Sequence, residues 1–138
     1  MKLTTTMAIA MFASATAFAS DKVPRAVTDA FTKAYPSVAK ISWEMERGNY
    51  EGKFKHNNKD LTVIYKTNGY LVETEELIRE SEIPKMVTTE AHKMHPKASF
   101  SEYAKITRPD GSVVYEVEIR ENGKAVDLIY TPEGRETK

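Results

Sequence analysis

Apolar positions along this chain follow two rhythms, one helical and one extended, and the pair of rhythms occurs twice. Val23, Val27, Ala30, Phe31 and Ala34 stand at i, i+4, i+7, i+8 and i+11, one stripe at the helical period, which predicts an amphipathic helix. Ile83, Val87, Ala91 and Met94 lay down the same stripe further on. Pro24 and Pro84 suit a first helical turn, because the N–H they lack has no intrahelical partner to lose. The residues before Pro36 and Pro96 are pushed out of helical geometry, which ends each helix after about three turns. Beyond each helix the period drops to two. Ile41, Trp43 and Met45 alternate with polar residues, as do Tyr50 and Phe54 around Gly52, and then Leu61, Val63 and Tyr65. Turn sequences separate the runs: Arg47-Gly48-Asn49, His56-Asn57-Asn58 and Thr67-Asn68-Gly69, then Asp110-Gly111, Asn122-Gly123 and Pro132-Glu133-Gly134. Connections this tight predict antiparallel meanders.

The second set of elements copies the first. Val23-Pro24-Arg25-Ala26-Val27 returns as Ile83-Pro84-Lys85-Met86-Val87, and Ala34-Tyr35-Pro36 as Met94-His95-Pro96, sixty residues later. In the strands the offset is sixty-five: Tyr50-Glu51 matches Tyr115-Glu116, Leu61 to Tyr65 matches Val126 to Tyr130, and Gly69 matches Gly134. Five residues have therefore entered the second copy between its helix and its middle strands, around the turn sequence Arg108-Pro109-Asp110-Gly111. A fourth strand is expected from Tyr70 to Ile78, leading through Ser81-Glu82-Ile83-Pro84 into the second helix. The second copy stops at Lys138, too early for a full fourth strand. The expected fold class is α+β: α-β-β-β-β over residues 20–82, then α-β-β-β over residues 83–138, each helix covering one face of its sheet within one compact tandem domain.

Residues 1–19 read as a leader. Met1-Lys2 is a short basic start, Leu3 to Phe18 is apolar or small, and Ala17-Phe18-Ala19 is a small-x-small cleavage signal. The apolar run, roughly sixteen residues, is shorter than the roughly twenty of a spanning helix. Its removal takes away Lys2 alone among the charged residues and leaves 119 residues of net charge −1. A near-neutral chain without a basic tail argues against nucleic acid or an anionic membrane surface as the main partner. Export without any Cys fits a bacterial periplasm or secretion from a bacterium, with a core large enough to need no disulfides.

The helix with its Pro in the first turn and Tyr-Pro or His-Pro at its end, the Trp43 strand, the Tyr50-Glu51 strand and the Asn68-Gly69 turn, doubled behind a leader, resemble the PepSY-like family of small secreted bacterial proteins. The resemblance spans nearly the whole mature chain. That family is similar in fold to the beta-lactamase-inhibitor protein, a tandem of two helix-plus-sheet repeats whose sheet face grips an enzyme. The family name implies peptidase inhibition, and the resemblance supplies no catalytic residues.

Candidate chemistry is sparse. His92 and His95 are three apart on the second helix, a spacing that can bring two imidazoles to one metal. In the repeat, however, His95 stands where Tyr35 stands, so the position calls for a planar amphipathic ring, and no metal or other cofactor is expected. His56, beside Asn57 and Asn58, is expected to be exposed. Ser, His and Asp occur without a nucleophile elbow, a phosphate-cradling Gly loop or an H-E-x-x-H frame, so no enzyme is expected. The face of the middle strands turned away from the helices carries Glu51, Lys53, Lys55, Thr62 and Ile64, and in the second copy Glu116, Glu118, Arg120, Asp127 and Ile129. Ile64 and Ile129 are apolar residues in a polar phase at matching positions. They are either the apolar centres of a binding surface rimmed by charge or the place where the two units cover each other. The expected function is a non-enzymatic binding module for a protein or peptide of the cell envelope, with Glu51, Lys53, Ile64, Glu116, Glu118, Arg120 and Ile129 as its contact residues. The alternative is a carrier of a small or lipidic ligand between helix and sheet.

Overall fold

A computed structural model describes residues 16–18 and 22–137 of the chain. Apart from Thr16–Phe18, the expected leader lies outside the described residues. Those three residues form β1 (Thr16–Phe18), an edge strand antiparallel to β2 (Ser42–Glu46). Cleavage near Ala19 would leave a sheet that begins at β2.

The remaining strands are β3 (Asn49–His56), β4 (Lys59–Tyr65), β5 (Leu71–Ile78), β6 (Ser99–Thr107), β7 (Val113–Glu121), β8 (Lys124–Tyr130) and the two-residue β9 (Glu136–Thr137). Helix α1 (Arg25–Ala34) precedes β2, and α2 (Lys85–Met94) lies between β5 and β6 after a 3-10 turn at Glu80–Glu82. Every strand pairs with its sequence neighbours, all antiparallel, in the order β1 to β9.

The strands expected as two sheets therefore form one. Thr74 to Ile78 of β5 pair with Thr107 to Tyr103 of β6, which joins the halves edge to edge. The physical reason is that two separate meanders would each leave an unpaired strand at the junction, and ladder hydrogen bonds between the two edges satisfy both. The inserted residues of the second half extend β6 and the turn after it, where Arg108 N donates to Ser112 O and Gly111 N to Arg108 O.

Side chains alternate across this sheet, and the register puts both helices on the same face. Each helix starts at its proline, with Val27 N and Thr28 N donating to Pro24 O, and Val87 N and Thr88 N to Pro84 O. Under α1, Val27 and Phe31 are buried against Trp43, Tyr50, Phe54, Val63 and Tyr65. Under α2, Val87 and Ala91 are buried against Tyr103, Val117, Ile119, Leu128 and Tyr130. The hydroxyl of Tyr130 is buried without a partner among the described residues, and burial raises its pKa to about 12.

Two glycine features fix how the turns and strands meet the helices. Gly69 and Gly134 adopt φ of +81° and +80°, and a Cβ at either would strike the backbone of Ala26 or Met86, near the start of α1 or α2. Each turn thus closes onto its helix at a distance that only glycine permits. Gly52 lies beneath the Trp43 ring, its direct cross-strand partner, where a Cβ would approach ring carbon Cζ3 to 2.8 Å. Trp43, 1 % exposed, occupies the space that a side chain at position 52 would take.

Candidate functional site: the concave sheet face

The face turned away from the helices carries all seven residues expected to contact a partner. Along β3, Tyr50, Gly52 and Phe54 point to the helices, so Glu51, Lys53 and Lys55 point away. On β4 the same alternation turns Thr62 and Ile64 outward, and on β7 and β8 it turns Glu116, Glu118, Arg120, Asp127 and Ile129 outward. Register brings these residues together in two groups. Glu51 pairs directly with Ile64, and Glu116 with Ile129, at matching places in the two halves. Arg120 is exposed and stands apart, level with Ser99 and Ala125.

Between the two groups runs a stretch that sequence reading does not pick out. β5 presents Glu73, Glu75 and Leu77, β6 presents Glu102, Ala104 and Ile106, and β7 adds Val114. Ile106 is 2 % exposed and Ala104 4 %, although no helix covers this side. They are buried because the sheet curls. Arg47, in the turn after β2, is near enough to lower the pKa of Asp127 on β8, and Lys53 on β3 does the same for Glu102 on β6. In a flat sheet, six strand spacings would set β2 and β8 about 29 Å apart, beyond the reach of such an effect. The face is thus a concave trough with Ile106, Ala104 and Val114 at its floor. Ile64 and Ile129 are half-buried on its walls, and Leu77 is 44 % exposed.

Charge in the trough is unevenly paired. In the first half, Lys53 Nζ lies 3.0 Å from Glu51 Oε1 and 3.3 Å from Glu44 Oε2. Burial lowers the Lys53 pKa, but its contacts with Glu51 and Glu44 outweigh that and raise it overall. Arg108 Nε reaches Glu73 at 3.4 Å, and Arg47 reaches Glu46 at 3.5 Å. A hydrogen bond with the Glu51 carboxylate, with burial and repulsion added, raises the pKa of Glu46. Towards the second half the cations run out. Among the described residues no Lys, Arg or His nitrogen stands within ion-pair distance of Glu75, Glu102, Glu116, Glu118 or Asp127. Glu118 accepts a 2.6 Å hydrogen bond from Ser101 Oγ. Burial, reinforced by neighbouring carboxylates, raises Glu75 to about 7 and Glu116 to about 8, with Glu75 the largest charge acting on Glu116. Burial followed by Glu118 raises Glu102 and Asp127 as well.

Elsewhere the histidines have structural neighbours. The ring of His92 lies on Phe100 with centroids 4.0 Å apart, whereas His95 Nδ1 is 3.5 Å from Glu121 Oε2, so the two rings serve different partners. His56 corrects the expectation of exposure: it is half-buried, edge-on to Tyr35 at 5.5 Å. The Tyr35 ring at the end of α1 lies edge-on between Phe54 and the imidazole at the end of β3, and that contact covers part of His56.

No protein-family model matches this chain, and no curated protein sequence matches it. Solved structures do. A putative periplasmic protein from Bacteroides eggerthii superimposes with a TM-score of 0.71 at 18% identity, covering 84% of this chain and 86% of that one. A DUF2874 family protein from Bacteroides uniformis gives 0.71 at 18% identity, covering 83% and 86%. A BLIP-like protein from Bacteroides fragilis gives 0.63 at 24% identity, covering 83% and 84%. The fold is BLIP-like. Among the described residues no helix is long and apolar enough to cross a membrane.

Proposed function

We propose that this protein is an exported, non-enzymatic binding module of the periplasm that holds a protein or peptide partner in the concave face of its sheet. The observation that carries the proposal is the trough itself. It is a sheet face no helix covers, with Ile64 and Ile129 half-buried on its walls, Leu77 exposed and a rim of charge. Apolar area ringed by polar groups is where association gains most, because the rim excludes water from the centre. The opposite, helix-covered face offers less to a small-molecule carrier, since Val27, Phe31, Trp43, Val87 and Tyr130 fill the space between helices and sheet. The location is supported by the leader sequence and by the description of the Bacteroides eggerthii protein as a putative periplasmic one.

The chain itself is read as two PepSY-like copies in tandem. Matching pairs support this at the sequence offsets of sixty and sixty-five: Pro24 and Pro84 at the helix starts, Gly69 and Gly134 against Ala26 and Met86, and Tyr35 beside His56 where His95 meets Glu121. A duplicated unit presents two copies of one contact motif, Glu51 with Ile64 and Glu116 with Ile129, to a single partner.

The test replaces both isoleucines. The doubly substituted Ile64→Asp, Ile129→Asp protein is expected to melt within about 2 kcal/mol of the parent, since both positions keep contact with water, and to lose the partner that the parent retains from periplasmic extract. A collapse of the fold would mean that these positions are interior packing. Undiminished capture would place the binding surface elsewhere.

A further inference from the structure

Resting on the proposed role of the trough, we infer that its occupant is a cationic protein segment, which seats a Lys or Arg side chain between Glu75 and Glu116 while its apolar residues meet Ile129 and Leu77. Charge complementarity carries this choice. In the first half of the trough Lys53, Arg108 and Arg47 stand against Glu44, Glu51, Glu73 and Glu46, while Glu75 of β5 and Glu102, Glu116, Glu118 and Asp127 of the second half surround an apolar floor with no Lys, Arg or His nitrogen within ion-pair distance among the described residues. The whole chain is balanced, with 20 basic and 20 acidic side chains, so this imbalance belongs to the site and not to the protein's net charge. Glu75, Glu116 and Glu118 are half-buried, and half-buried carboxylates without a cation beside them are costly to ionise. A guanidinium or ammonium from a partner removes that cost on docking, and adds hydrogen bonds that neither water nor a neutral side chain supplies as well. An anionic partner would meet repulsion from the same five groups, which makes the trough selective as well as receptive.

A second consequence follows from the protons. Glu75 and Glu116 face Glu73 from β5, Glu46 and Glu51 with Lys53 from β2 and β3, Glu102 from β6 and Asp127 from β8. Near neutral pH the two carboxyls hold protons for part of the time. A cation must displace those protons, so binding releases them and tightens as pH rises from about 6 to about 8.5.

The experiment uses the mature protein and three synthetic peptides of equal length, alternating valine with lysine, threonine or glutamate, measured by calorimetry at low salt. The lysine peptide is expected to bind, to bind more tightly at the higher pH with proton release, and to weaken at least tenfold in the Glu75→Gln, Glu116→Gln protein. Asp29→Asn with Glu90→Gln makes the same change of charge on the helices and is expected to leave binding unchanged. If the threonine or glutamate peptide binds as tightly as the lysine peptide, and Ile129→Asp abolishes it, the trough is a binding face but the cationic assignment is wrong. If the helix substitutions weaken the lysine peptide as much as the trough substitutions do, the attraction is general and the assignment also fails. If none of the peptides binds, the assignment is overturned, and capture by the Ile64→Asp, Ile129→Asp pair then judges the broader role by itself.

Discussion

Replacing Phe31 by Ala is expected to cost about 3–5 kcal/mol, enough to lower the melting temperature by roughly 10–20 °C in a domain of this size. Phe31 is 4 % exposed and links three elements through one ring. Its centroid is 5.4 Å from Tyr35, 5.7 Å from Trp43 and 5.0 Å from Phe54, the last two in edge-on geometry. Removing the ring leaves a cavity that cannot collapse easily, because Trp43 is held over Gly52 and the helix end is held by Tyr35 N donating to Phe31 O. Ala91, the matching position on α2, is fully buried but small, so α2 itself carries no residue of equal weight. A thermal melt of Phe31→Ala with a loss below about 1 kcal/mol would mean that α1 does not pack on the sheet as described.

Stability is expected to fall as pH rises from about 5 to about 9, and the cause is the pair Glu75 and Glu116. Both have folded-state pKa values raised above the ordinary 4.5, to about 7 and about 8, chiefly by burial. The folded chain therefore binds protons more tightly than the unfolded chain. The stabilisation this gives is fully present below the unfolded value and is lost as pH climbs through the folded values. Each pKa unit is worth about 1.4 kcal/mol, and water entering the trough screens the groups and reduces the sum to about 2–4 kcal/mol. Glu102, Asp127 and Glu46 are raised too and act in the same direction. Urea midpoints across that range should decline for the parent and decline much less for Glu75→Gln, Glu116→Gln, in which only Glu102, Asp127 and Glu46 remain raised. A parent curve that is flat or that rises with pH would show that these carboxyls are well solvated.

Much of this architecture could be read from residue order, because the signals were local. The stripes Val23 to Ala34 and Ile83 to Met94 gave the helices, although their last members, Ala34 and Met94, are exposed where each helix runs off the sheet; proline placed the starts, and period-two runs between Gly and Asn turns gave the strands. The outward phase of Glu51, Ile64, Glu116 and Ile129 followed from the same alternation. What lay beyond reach was long-range. Leu71 to Ile78 reads Leu-Val-Glu-Thr-Glu-Glu-Leu-Ile, in which no apolar phase distinguishes one face from the other, so the outward position of Glu73 and Glu75 depends on which strands flank β5. The joining of β5 to β6 depends on edges far apart in sequence. A signal for the buried floor did exist: Tyr103-Ala104 and Val113-Val114-Tyr115 are apolar at consecutive positions, which marks strands covered on both sides. Curling of the sheet, which covers them, is written in no single segment.

The trough as the gripping surface is tested most directly by placing a photoreactive amino acid at Ile129 and, in a separate protein, at Met86 on α2, which is 62 % exposed. Both proteins are expressed with their leader and irradiated in living cells. Cross-links to a partner protein are expected from position 129 and not from position 86. Cross-links from position 86 with none from position 129 would put the partner on the helix side and contradict the account.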